Sequence, residues 1–164
     1  NDSELIFLEG YLWDEGNPKK AFEKVIKYSK KVAMSLSDKF CVERHKTHFL
    51  NLVKNKLDIT FANEEEVMSL INAKNFDEVI KFAKEIKKHI IITRGEKGAI
   101  SIMNDKIAEM GTTNNLKILD LTGAGDLFAA GYLHSYIKNQ PLEKCLEKGT
   151  EMSAKVIQQI GARL

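Results

Sequence analysis

The 164-residue sequence predicts an α/β fold: a doubly wound, mostly parallel sheet with helices on both faces and one antiparallel hairpin. Three observations carry that expectation. Short apolar runs of strand length alternate with longer stretches whose apolar residues recur at the helical period, as in βαβ units. Asn104-Asp105 separates two strand-like runs by two residues, which suits a hairpin turn. The tightest glycine turn, "TGAG" at 122–125, falls just before a helix-like stretch, and open sheets of this kind bind ligands beyond the carboxyl ends of their strands.

The elements follow in order. "LIFL" (Leu5–Leu8) reads as the first strand, and Asn17-Pro18 offers an N-cap and a favoured first helical residue. Ala21, Phe22, Val25 and Ile26 share one face of the helix that follows, with lysines opposite. "VAMSL" (Val32–Leu36) is a second strand. Ser37 and Asp38 open a helix whose apolar positions include Phe40, Cys41, Phe49, Leu52 and Val53. "DITFA" is a third strand, and Asn63 caps the helix that begins "NEEEVMSLI". Phe76, Val79, Ile80, Ala83 and Ile86 mark another helical face, and "HIIIT" is a fourth strand. "GAISIM" and "KIAEM" form the hairpin, and "LKIL" (Leu116–Leu119) reads as one more strand. Two helices close the chain, from about Ala124 to Ile137 and from Pro141 to Ile160.

Composition narrows the function classes. With 43% hydrophobic and 29% charged residues, the chain is of ordinary globular type. The net charge of +2 arises from 25 basic and 23 acidic residues that are interspersed, so neither nucleic acid nor a membrane is an expected partner. Cys41 and Cys145 lie far apart without metal-ligand spacing, which fits reduced thiols and a cytoplasmic location. His45 and His48 lie three apart on a helix but lack an evident third ligand, so a solvated face is expected there rather than a metal. Trp13 either meets a substrate or covers the core. The chain opens without methionine and enters a strand almost at once, so a piece of something longer is expected.

"DLTGAGDLF" (Asp120–Phe128) concentrates the chemistry. Gly123 and Gly125 leave backbone N–H groups open at a helix N-terminus, a ready anion site. Asp126 beside such a cradle would repel the anion unless the acid has its own task, taking a proton from a hydroxyl that attacks phosphorus. A plain glycine turn with Asp126 favouring the helix dipole is the alternative, and spacing alone does not choose. A P-loop is excluded, because no Gly-x-x-x-x-Gly-Lys string exists. The dinucleotide fingerprint fails because Phe128 stands where its third small residue belongs.

"DLTGAGDLFAAG" resembles the signature of the PfkB, or ribokinase-like, family of carbohydrate and nucleoside kinases. "ANEEE" is similar to the family's Asn-x-x-Glu element, "ITRGEKGA" to its Thr-x-Gly-x-x-Gly nucleotide loop, and "VIQQIGA" to its closing segment. "EGYLWD" and "SLSDKFCVERH" look most like the adenosine kinase-like branch. The resemblance implies Asp126 as catalytic base and Gly123, Ala124 and Gly125 as the anion hole. It implies ATP as phosphoryl donor, with Thr93, Gly95, Gly98 and Gly161 lining the nucleotide site. Asn63 and Glu66 would organise Mg²⁺ and phosphates through water, with capping and a first-turn acid as their plainer roles. Asp120 and Thr122 would contribute to a monovalent cation (K⁺) site, or simply end a strand.

The acceptor implied is a small sugar or nucleoside, and a homodimer is one arrangement open to the protein. On this reading residues 1–164 are the C-terminal, nucleotide-binding part of a ribokinase-like kinase. The N-terminal substrate and lid part is absent, and the fragment alone is expected to be inactive. A non-catalytic nucleotide-binding module is the rival, and a pure binder gains nothing from an acid at 126. A flavodoxin-like receiver should carry an acidic cluster after its first strand, where this chain has Glu9, Gly10 and Tyr11.

Overall fold

The computed structural model describes residues 3–13, 18–113 and 115–164. The strands are β1 (Ile6–Glu9), β2 (Val32–Ser35), β3 (Ile59–Asn63), β4 (His89–Thr93), β5 (Ala99–Met103) and β6 (Lys106–Met110). The helices are α1 (Pro18–Tyr28), α2 (Lys39–Asn55), α3 (Glu64–Ile71), α4 (Phe76–Ile86), α5 (Ala124–Tyr136) and α6 (Leu142–Val156). The strands form one sheet in the order β1-β2-β3-β4-β5-β6. β1, β2 and β3 pair in parallel, Glu9 opposite Ser35 and Ser35 opposite Phe61, so the carboxyl ends of β1 and β2 are level and β3 runs on to Asn63. β5 and β6 are the expected hairpin around Asn104-Asp105, whose first residue turns the chain at φ 55°.

Two compact units divide the chain: residues 1–92 with 102–106, and residues 93–101 with 107–164. The first holds the parallel strands and α1–α4. Met34, Leu36, Phe49, Leu57, Ile59 and Leu70 are fully buried in it, and β4 contributes an unbroken buried run, Ile90–Ile92. Such all-apolar strands are what a covered parallel sheet demands. Caps set the helix starts. Asp38 accepts from Cys41 N at 2.6 Å, and Asn75 accepts from Glu78 N at 3.1 Å. The second unit is built on α5 and α6, which approach so closely that a side chain at Gly131 would begin 2.6 Å from Lys148 O. Within it the buried hydroxyls of Ser101 and Tyr132 share a 2.7 Å hydrogen bond, which satisfies both away from water.

Two expectations change, and one left open is settled. Leu116–Leu119 is not a strand: the amides of Leu119 and Asp120 both donate to Ile157 O, so the chain after α6 takes up the bonds a neighbouring strand would need. α6 ends at Val156 rather than Ile160. Its last amides fall into tighter three-residue bonds, Gln158 to Lys155 O and Gln159 to Val156 O, and Ile160, which keeps the apolar period, is 87% exposed. Trp13, left open by the sequence, covers the core edge-on against Phe22, with ring centroids 4.9 Å apart. His48 is exposed and His45 half-buried, in keeping with a solvated face, and both rings also lie near that indole, at 5.7 and 6.5 Å. The cap expected from Asn17 lies outside the described residues.

Candidate active site

In the first unit the carboxyl ends of β1, β2 and β3 gather acids. Glu66, third residue of α3, is only 4% exposed. Asn63 and Glu66 form a reciprocal capping box: Asn63 Oδ1 accepts from Glu66 N (2.8 Å), and Glu66 Oε2 accepts from Asn63 N (2.9 Å). Glu66 Oε1 also accepts from Asn63 Nδ2 at 2.7 Å. Burial nevertheless pushes the Glu66 carboxyl up from 4.5 to about 7, against the pull of the Asn63 amide, and the charges of Asp38, Glu9 and Glu65 add to the rise. The surroundings therefore favour either a proton or a cation at Glu66.

The segment after β2 is held in a strained shape beside this box. Asp38 N donates to Leu36 O at 3.1 Å across Ser37, whose φ is 74°, a three-residue turn of an uncommon hand. Ser37 Oγ donates to Glu9 Oε2 and accepts from Tyr11 N, both at 3.2 Å. Burial and a hydrogen bond to the Asp38 carboxylate push the Tyr11 phenol up to about 12. Glu9, Tyr11 and Asp38 are neighbours of Glu66 that motif spacing missed. Their signal is positional: Glu9 ends β1, and Tyr11 and Asp38 lie shortly beyond the carboxyl ends of β1 and β2. Among the described residues no group of three or more His, Cys, Asp or Glu side chains is arranged to hold a metal directly. A Mg²⁺ ion organised from Glu66 would thus be bound through water and phosphate oxygens, which suits an ion that dehydrates reluctantly.

In the second unit the glycine turn caps α5. Gly123 sits at φ 79°, and a Cβ there would lie 2.8 Å from Ala162 Cβ, so both shape and space require glycine. Gly125 differs: a Cβ built on it meets nothing within 4 Å. No side chain caps the first turn of α5, and helix N-termini of that kind are where anions are received. Asp126, third residue of α5, is exposed, and with glycine as cap it has no side-chain capping bond to join. Asp120 Oδ1 accepts from Thr122 N (2.9 Å) and Thr122 Oγ1 (2.7 Å), and its Oδ2 accepts from Gly161 N (2.9 Å). Those donors hold the Asp120 carboxyl down at about 2.

The Thr93–Gly98 loop belongs to this unit and divides its glycines in the same way. Gly98 closes the turn, donating to Gly95 O at 3.0 Å while its own carbonyl accepts from Arg94 N at 2.7 Å. A Cβ on Gly98 would strike Met110 O at 1.9 Å, whereas one on Gly95 meets nothing within 4 Å. Gly98 is therefore needed for packing, and Gly95 leaves backbone open beside Thr93. Gly161 likewise has open space where a side chain would project. The unobstructed backbone at Gly95, Gly125 and Gly161 fits a phosphate-bearing ligand approaching closely.

A parallel α/β sheet with candidate groups at strand ends and helix N-termini defines the class. The whole chain, residues 1–164, matches the pfkB family of carbohydrate kinases, and the chain belongs to that family. The structure of adenosine kinase from Sinorhizobium meliloti is similar over 99% of this chain and 51% of that one, with 34% identity and a TM-score of 0.95. A probable sugar kinase from Rhizobium etli gives the same coverage, 35% identity and a TM-score of 0.94. A cytidine kinase from Thermococcus kodakarensis is 30% identical over 115 residues, which is 68% of this chain and 41% of the relative. The chain thus spans about half the length of these relatives or less. No helix of the described residues is long and apolar enough to cross a membrane.

Proposed function

We propose that this chain supplies the nucleotide-handling part of a kinase that transfers the γ-phosphoryl group of ATP to a hydroxyl of a sugar or nucleoside. One observation carries the reading: Asp126 stands exposed on the first turn of a helix whose N-terminus no side chain caps. Asp126 takes the proton from the acceptor hydroxyl, and the amides around Gly123, Ala124 and Gly125 stabilise charge on the phosphoryl group in flight. Thr93, Gly95, Gly98 and Gly161 shape the nucleotide surface. Asn63 and Glu66 orient a hydrated Mg²⁺, which when bound neutralises phosphate charge. Glu66 serves this role well because a cation relieves the crowding of Glu9, Asp38 and Glu65.

Likeness to an adenosine kinase and to a probable sugar kinase supports a small hydroxyl-bearing acceptor of either kind. Cys41 and Cys145, both buried and outside any disulfide among the described residues, suit a cytoplasmic enzyme. K⁺ at Asp120 and Thr122 belongs to the same reading, as a modulator of the turn.

The test is Asp126→Asn in the intact kinase. Transfer should fall ~10²–10⁴-fold with ATP affinity unchanged, the usual scale for losing a general base. Full turnover by the variant would remove Asp126 from the chemistry.

A further inference from the structure

The 3₁₀ turn Gly10–Trp13, which follows β1 in the first unit, meets α2 at two places. Its start is pressed on the segment that enters α2. A Cβ at Gly10 would lie 2.9 Å from both Leu36 O and Ser37 Oγ, and Tyr11 N donates to Ser37 Oγ at 3.2 Å. The Tyr11 phenol is hydrogen-bonded to the Asp38 side chain, whose Oδ1 caps α2 by accepting from Cys41 N. At the other end of the turn, the indole of Trp13 lies beside His45 and Phe49, with ring centroids 6.5 and 6.2 Å away.

Between those two places α2 is not straight. His45 leaves the helical region at φ −113° and ψ 17°, which divides the helix into a short piece before it and a longer one after it. Helices bend sharply at proline, at glycine and serine pairs, at π-bulges, or where another group intrudes. Residues 39–55 contain no proline, glycine or serine, so the composition of α2 does not account for the bend. The indole does: it is seated on the residue that bends and on the one a turn further along.

We propose that Trp13 is a positioning residue for the acid end of the site: it is the wedge on which α2 bends, and through the turn it shares with Tyr11 it fixes where Asp38 stands beside Glu66. The inference rests on the phosphoryl-transfer reading, in which Glu66 organises Mg²⁺, and deepens it. The piece 39–44 is under about two turns long, too short to keep a direction of its own. Its direction comes from its ends, the Asp38 cap on one side and the bend on the other. The Asp38 charge is one of those felt by Glu66, and such an influence weakens with distance. A wedge that holds Asp38 in place therefore holds the field that draws a hydrated cation to Glu66.

Trp13→Ala in the intact kinase is the decisive variant. Asp38 holds the amides of Cys41 and Val42 through its Oδ1 and its main-chain oxygen. Their hydrogen exchange should quicken by about tenfold or more, the mark of local opening. The Mg²⁺ concentration for half-maximal turnover should rise ~10-fold, the scale of losing a support behind a metal site, with turnover near wild type at saturation. Trp13→Phe keeps a ring on the bend and should restore both. Val79→Ala, at a fully buried position on α4, is the control: it should lower the denaturation midpoint without moving the Mg²⁺ requirement.

Unchanged exchange at Cys41 and Val42 in Trp13→Ala overturns the wedge. So does quickened exchange with an unmoved Mg²⁺ requirement, which would leave Trp13 a plain core residue. Should Trp13→Ala misfold, Trp13→Leu, which keeps apolar bulk but no ring, gives the same readouts. Exchange makes no use of catalysis. Failure of the Mg²⁺ reading, seen as an unmoved requirement in Glu66→Gln, is thus distinguishable from failure of the wedge.

Discussion

Glu66 and Asp126 occupy the same place in two different helices. Each is the third residue of its helix, where the macrodipole and open amides favour an acid. Their caps make them differ. Asn63 turns the start of α3 into a closed capping box that ties up the Glu66 carboxylate, while burial pushes that carboxyl up to about 7 against the pull of the Asn63 amide. Gly123 gives α5 no side-chain cap, and Asp126 is left exposed and unengaged. On the proposed function one acid would serve a cation and the other a proton, and the residue three positions upstream would divide the two tasks.

The largest structural effect should come from forcing a side chain onto the open cap. Gly123→Ala faces both a positive φ and the Ala162 methyl group 2.8 Å away. A loss of about 1–3 kcal/mol is expected, read as a lower denaturation midpoint. Removing the other cap should cost less. Asn63→Ala abolishes the Oδ1 cap but keeps the backbone donor to Glu66, so about 1 kcal/mol is expected in the same measurement.

The smallest effect is proton linkage. Glu66 has a folded pKa of about 7 against an ordinary 4.5, so between those values the folded state holds a proton that the unfolded chain has released. Its contribution to stability therefore falls as pH rises from 4.5 to 7 and is flat above. His89, pushed down to about 4 from 6.5 by burial, acts with the opposite sign, adding stability as pH rises across that range. The informative quantity is the difference between wild type and Glu66→Gln. Thermal denaturation from pH 4.5 to 8 should show that the variant lacks the Glu66 component while keeping the rise from His89. Identical profiles would mean that Glu66 is not proton-linked.

Much of this was legible in the sequence, and the failures have causes. Helix starts at Asp38 and Asn63 were readable because a capping side chain acts within three residues. The run Ile90–Ile92 was readable because a strand buried on both faces leaves nothing but apolar residues. Leu116–Leu119 misled for the opposite reason: its partner is Ile157, about forty residues away, and local pattern does not encode that bond. At the site, the glycine turn and the Asn-x-x-Glu element could be found by spacing. Which glycines are required for packing and which leave backbone open could not, since that depends on Met110 against Gly98 and Ala162 against Gly123. Glu9, Tyr11 and Asp38 can be placed near strand ends from the sequence, but their grouping around Glu66 emerges only when the parallel strands are set side by side.

The division of labour between the two acids is tested most directly by turnover of Asp126→Asn and Glu66→Gln in the intact kinase across a Mg²⁺ titration. Asp126→Asn should remain ~10²–10⁴-fold below wild type at every Mg²⁺ concentration, because no metal replaces a missing base. Glu66→Gln should need more Mg²⁺ and then approach wild-type turnover at saturation. Recovery of Asp126→Asn with Mg²⁺, while Glu66→Gln stays inactive, would reverse the two roles and contradict the account.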